Sequence, residues 1–181
     1  PEELLKKVLR YKVYFKNDGG VTVSGGEPLL QAKFVEGFFK LCKQNNIHTC
    51  LDTSGFGENY ETLLDYCDLV ILDVKELDAN KYERLVGKKI EKFKKFLQIC
   101  QEKGKKMWLR QVIVPNYNDT KESVLKLKEF AKNLTNIEKI ELLPYHDMAK
   151  NKYKKLGLEY RLKDVPPMDK KKCKDLERLL Q

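Results

Sequence analysis

Five short β-branched or apolar runs, Gly20–Val23, Thr49–Asp52, Leu69–Asp73, Met107–Val114 and Lys139–Leu143, are each followed by a segment with helical period. Strand, helix and strand recurring at a spacing of about 20 to 35 residues make βαβ units, whose strands run parallel and whose crossovers are right-handed. The predicted fold is therefore α/β, a parallel sheet with outer helices. In sheets of this kind ligands bind at the carboxyl ends of the strands, so the residues at those ends are read together.

The intervening segments support the pattern. Gln31–Asn45 places Phe34, Val35, Phe38, Phe39, Leu41 and Cys42 on one broad face, the stripe of a helix packed on a sheet, and these aromatics are read as core. Ile90–Glu102 repeats the stripe through Phe93, Phe96, Leu97 and Cys100, and Gly104 ends it near the C-cap. Asp119 or Thr120 can cap a helix through Ala131 with Val124, Leu127 and Phe130 inward.

At 181 residues, with no Gly/Ser-rich or Pro-rich linker, one domain spanning 1–181 is expected. No apolar run approaches the roughly 18 residues of a membrane span, and Glu2 and Glu3 are unlike a signal peptide, so a cytoplasmic protein without membrane contact is expected. The formal charge of +9, from 36 Lys and Arg against 27 Asp and Glu, is scattered along helices with matching Glu. It reads as solvated helix faces rather than a nucleic-acid site, although it would favour docking of an acidic protein partner. The five cysteines, Cys42, Cys50, Cys67, Cys100 and Cys173, contain no Cys-x-x-Cys pair and indicate neither a disulfide framework nor a zinc knuckle.

Each strand delivers a polar group or a glycine to the same rim. The first runs into Ser24-Gly25-Gly26-Glu27-Pro28, a turn whose glycines permit positive φ and close approach of a ligand and whose proline presets a helix start. The second ends in Asp52-Thr53-Ser54-Gly55 and the third in Asp73-Val74-Lys75; the fourth holds Arg110, and the fifth ends in Pro144-Tyr145-His146-Asp147. Singly these have ordinary readings: Asp52 and Ser54 as caps or turn formers, Asp73 with Lys75 as a surface ion pair, His146 as a loop histidine. Together they offer acceptors for an ammonium or cation, a lysine for a carboxylate, and a histidine and an arginine for polar groups, which suits a zwitterionic amino-acid-like ligand. The essential parts of a Ser/His/Asp hydrolase or a nucleoside triphosphatase are missing.

Gly25-Gly26-Glu27-Pro28, Ile47–Gly55, Leu72-Asp73-Val74-Lys75, Arg110 within Trp108–Pro115 and Ile137–His146 resemble, in order and over nearly the whole chain, the pyruvate formate-lyase-activating enzymes. These are radical S-adenosylmethionine (SAM) enzymes of the glycyl-radical activase group. The resemblance implies a partial (β/α)6 barrel. It implies that Gly25, Gly26 and Glu27 hold the SAM methionine ammonium through backbone and carboxylate acceptors, and that Val74, Lys75 and His146 line or contact the cofactor. Asp52, Thr53 and Asp73, with the carbonyl of Ile71, resemble the family's monovalent-cation site beside the SAM carboxylate, and Arg110 would lie near the substrate glycine loop. The implied chemistry is reductive cleavage of SAM by a [4Fe–4S] cluster, giving a 5′-deoxyadenosyl radical that takes hydrogen from a glycine of pyruvate formate-lyase. A flavodoxin or ferredoxin would be the electron donor.

One family feature is missing from these residues. The Cys-x3-Cys-x2-Cys motif that holds the cluster does not occur among the five cysteines, and Cys50 and Cys67, in or beside strands, are expected to be structural. The resemblance thus leads to the expectation of a barrel lacking its first strand, with the cluster ligands upstream of Pro1 and this chain alone inactive. The other reading is a cluster-free protein that keeps a SAM-shaped rim for ligand binding or scaffolding.

Overall fold

The computed structural model describes residues 1–16 and 19–180, and the predicted alternation is present in it. The chain runs through α1 (Glu2–Leu9), a 3₁₀ turn (Lys12–Tyr14), β1 (Gly20–Val23), a second 3₁₀ turn (Pro28–Gln31) leading into α2 (Ala32–Gln44), β2 (His48–Thr53), α3 (Glu61–Asp65) and β3 (Leu69–Asp73). It continues through α4 (Ala79–Val86), α5 (Glu91–Glu102), β4 (Lys106–Ile113), α6 (Lys121–Lys132), β5 (Ile137–Pro144), α7 (Ala149–Lys155) and α8 (Lys170–Glu177), closing on a 3₁₀ turn (Arg178–Leu180). The strands form a five-stranded parallel sheet in chain order, β1-β2-β3-β4-β5, consistent with a partial barrel. Residue packing divides the chain into two units, Pro1–Leu109 with Leu134–Lys139 and Arg110–Asn133 with Ile140–Gln181. The boundary falls inside β4 and β5 rather than in a linker, where no sequence punctuation marks it.

In the first unit, β2 pairs in parallel with β1 through Val21↔Thr49 and Val23↔Leu51, and with β3 through Cys50↔Leu69 and Asp52↔Ile71. Helix α2 buries Val35, Phe38, Phe39 and Cys42 and packs on β2 and α3. Phe34, expected on that face, is 45% exposed. At 100° per residue the buried positions 35, 38, 39 and 42 form the stripe, and position 34 falls on its flank. Helix α5 buries the four residues predicted for it, Phe93, Phe96, Leu97 and Cys100. Phe96 meets Tyr60 edge to face at 5.0 Å between centroids. The helix stops where the Gly104 N–H bonds to Gln101 O at 3.0 Å and the Lys105 N–H to Cys100 O at 2.9 Å, with Gly104 at φ +60.

The entry to β2 and β3 is latched by Asp68. Its carboxylate accepts from the Thr49 N–H (2.9 Å) and pairs with Lys43 (2.6 Å), while its own N–H donates to Thr49 O (3.0 Å). The Thr49 hydroxyl donates to Tyr66 O at 2.6 Å, so this fully buried threonine is satisfied.

The second unit is organised around polar ties of the same kind. Thr120, one of the two caps expected, accepts from the Ser123 N–H at the start of α6, which buries Val124, Leu127 and Ala131. Buried Asn118 accepts from the Val114 N–H (2.6 Å) and donates to Val112 O (3.0 Å), closing the turn after β4. Asp169 caps α8, whose Glu177 accepts from the Leu142 N–H at 3.0 Å. No helix among the described residues is long and apolar enough to cross a membrane.

The Asp68 latch has a pH signature. Burial pushes this carboxyl up, but the hydrogen bonds from Lys43 and Thr49 outweigh it and hold the carboxyl below its ordinary value of 3.8. A carboxylate whose folded pKa is lowered contributes stability that is present above the unfolded pKa and is lost as pH falls through the folded one. Asp68→Asn is therefore expected to cost about 1–2 kcal/mol at neutral pH. Urea denaturation at pH 7 and pH 3 checks this, and the gap to wild type should shrink only below about pH 4.

Candidate active site at the strand ends

Parallel pairing carries the ends of β1, β2 and β3 to one edge of the first unit. Beyond β1 the chain turns through Gly25 at φ +80 and Gly26 at φ +54, conformations that L side chains rarely adopt, and a Cβ built on either glycine meets nothing within 4 Å. The turn thus presents bare backbone to open space, a cradle that a ligand's polar end can enter.

Glu27 closes the turn. As N-cap of the 3₁₀ turn at Pro28 its Oε1 accepts from the Leu29 N–H (3.1 Å) and from the Thr53 hydroxyl (2.5 Å), and its Oε2 accepts from the Ser54 N–H (2.9 Å) and hydroxyl (2.6 Å). The resemblance gives this carboxylate to a ligand ammonium; in the structure all of its acceptor directions are taken by protein donors. Thr53, buried, also accepts from the Gly55 N–H at 3.0 Å, so its hydroxyl links Glu27 to the next turn along the rim.

Asp52 stands in register with Ile71, and Asp73 follows two residues later, so Asp52, Ile71 and Asp73 share one face of the sheet. Asp73 Oδ2 accepts from Lys75 Nζ at 2.9 Å, and the two side chains are 24% and 35% exposed. Its Oδ1 is buried and has no hydrogen-bond partner. A buried carboxylate oxygen without a donor is rare in a folded protein, and a ligand ammonium or a cation would satisfy it. Val74 between them is fully buried and anchors the strand end. The groove lined by Leu30, Phe34, Phe56 and Lys92 shares no residue with this rim.

Arg110 and His146 belong to the second unit. The Arg110 guanidinium meets the Glu141 carboxylate at 3.4 Å, a pairing that turns two half-buried side chains of β4 and β5 toward each other. His146 is exposed and follows Tyr145, which is buried with its hydroxyl 2.8 Å from that of Tyr160. The backbone ties of Tyr145, from its N–H to Ile113 O and from the Met168 N–H to its carbonyl, make it the anchor of the segment carrying His146.

The chain belongs to the radical SAM superfamily, whose family description matches residues 1–130. Within that class it is a member of the pyruvate formate-lyase-activating enzymes, radical SAM enzymes of the glycyl-radical activase group. It is 50% identical over 182 residues to the pyruvate formate-lyase-activating enzyme of Clostridium pasteurianum, covering 99% of this chain and 76% of that protein. With that of Staphylococcus epidermidis it is 41% identical over 186 residues, 98% and 74% respectively. A solved domain of pyruvate-formate lyase-activating enzyme from Bacteroides vulgatus shares the fold, with TM-score 0.69, 24% identity, and 89% and 92% of the two chains covered.

SAM and a [4Fe–4S] cluster are the cofactors of this superfamily. The rim fits the first: an open glycine turn and an unpartnered carboxylate oxygen can accept from an ammonium, and a lysine can donate to a carboxylate, as an amino-acid end requires. The cysteines do not fit the second. Cys42 lies in α2, Cys50 in β2, Cys67 before β3, Cys100 in α5 and Cys173 in α8, all of them buried. Among the described residues no three His, Cys, Asp or Glu side chains are grouped to hold a metal ion. A cluster needs thiolates at one place, whereas burial pushes the Cys42 thiol up to about 11 and the Cys67 thiol up to about 12. In the folded chain these five thiols are expected to resist a chromogenic disulfide reagent at pH 8 and to react fully in urea. Rapid reaction of more than one of them without denaturant would contradict the burial.

Proposed function

We propose that the glycine turn and the ends of β2 and β3 bind the methionine end of SAM, and that the protein activates pyruvate formate-lyase. The observation that carries this reading is the buried, unpartnered Oδ1 of Asp73, on a rim that also presents the backbone of Gly25 and Gly26. Those backbone acceptors and Asp73 receive the ligand ammonium. Lys75, held by its pair with Asp73, faces the ligand carboxylate, and Val74 excludes water behind them. A monovalent cation between Asp52 and Asp73, completed by the carbonyls of Thr53 and Ile71, belongs to the same proposal, since these positions share one face of β2 and β3.

Bound SAM, reduced by one electron from a [4Fe–4S] cluster and releasing methionine, would supply a 5′-deoxyadenosyl radical to take a hydrogen atom from one glycine of pyruvate formate-lyase. The task of the protein is to orient the amino-acid end and to exclude competing reactions. Arg110 is assigned to the substrate glycine loop and His146 to the cofactor, on the family resemblance and on their place in β4 and after β5. A flavodoxin- or ferredoxin-type donor is compatible with the net charge of +9, and a cytoplasmic setting with five free thiols.

Asp73→Asn and Lys75→Met test the assignment. Calorimetric titration with SAM is expected to show affinity reduced about tenfold or more for each, because a charge-assisted contact is removed. Unchanged SAM affinity in both variants would remove the cofactor from this rim.

A further inference from the structure

We infer that Glu27 is a positioning residue: its carboxylate clamps the Gly25–Gly26 turn to the end of β2, and it acts on a bound ligand only through that backbone. The inference rests on the proposed SAM site and concerns how that site is held in shape.

A carboxylate has about four acceptor directions, and the four donors found here, Leu29 N–H, Thr53 hydroxyl, Ser54 N–H and Ser54 hydroxyl, fill them. One donor comes from the chain just beyond the glycine turn and three come from the end of β2, so the carboxylate ties two segments that are 26 and 27 residues apart. Thr53 extends the tie to the Gly55 N–H, the next turn along the rim.

The turn itself has little else to hold it. Two consecutive glycines lose more freedom on ordering than any other residues, and nothing lies within 4 Å of a Cβ at either position to pack them in place. Asp52 immediately precedes Thr53, so the clamp also sets the glycine backbone relative to the Asp52 carboxylate. A ligand that needs both would find them already arranged, which lowers the ordering cost of binding.

Exchange and affinity separate the clamp from a direct ligand contact. The protein and its variants Glu27→Gln, Ser54→Ala and Glu27→Gln/Ser54→Ala are compared by amide hydrogen exchange without ligand and by calorimetric titration with SAM. A carboxamide cannot accept from both sides, and Ser54→Ala deletes one donor while leaving Glu27 intact.

The clamp predicts that both single variants speed exchange in the peptide spanning 24–29 and weaken SAM binding, Glu27→Gln by about tenfold and Ser54→Ala by severalfold. The double variant should be no weaker than Glu27→Gln alone. Thr120→Ala, which removes the cap of α6 in the second unit and lowers stability away from the rim, should leave SAM affinity unchanged, so that loss of fold alone is recognised.

If Ser54→Ala leaves exchange and affinity at wild-type values while Glu27→Gln weakens SAM, the carboxylate contacts the ligand itself and the clamp is overturned. If the unmodified protein binds no SAM, the proposed function fails instead. The exchange comparison then decides the clamp by itself: faster exchange in both single variants upholds it, and unchanged exchange overturns it.

Discussion

Everything at the rim depends on parallel strands meeting in one register. Parallel pairing sends β1, β2 and β3 to the same edge, and the two-residue alternation of side chains then decides which groups share a face. A slip of one residue between β2 and β3 would send Asp73 to the face opposite Asp52. The Asp68–Thr49 latch sits at the far end of those strands and fixes their offset with one main-chain bond, from the Asp68 N–H to Thr49 O, and one from the Thr49 N–H to the Asp68 carboxylate. Chemistry at one end of the sheet is thus set by a polar tie at the other.

The rim departs from the rules that the rest of the unit obeys. Elsewhere among the described residues of the first unit buried polar groups such as Thr49 are satisfied, and apolar side chains fill the space between sheet and helices, whereas in the second unit the buried Gln111 Oε1 also has no partner. At the strand ends, a carboxylate oxygen is left without a donor and two glycines take positive φ over open space. Such local violations are expected where a protein meets a ligand, and the surrounding network stabilises them.

Much of this was legible in the chain. β-branched runs separated by amphipathic stretches yielded all five strands within a few residues of their ends, because strand and helix periods differ and the apolar stripes of α2, α5 and α6 are long enough to declare themselves. Shorter helices escaped. Helix α4 has only one buried residue, Tyr82, and its signals are local, an Asp78 cap and a left-handed Gly87. Helix α1 buries nothing. The rim residues could be named from their positions at strand ends, yet the sequence could not show how Glu27 is used. Its partners Thr53 and Ser54 lie far along the chain, and only the register of β1 on β2 brings them within hydrogen-bond reach. The division of the chain inside β4 and β5 was equally hidden, since strands carry no composition change where packing changes.

The buried cysteines have one further consequence. Thiols that are held protonated and shielded from solvent are poor targets for oxidants. Exposure to air would therefore leave these five thiols unmodified while the chain stays folded.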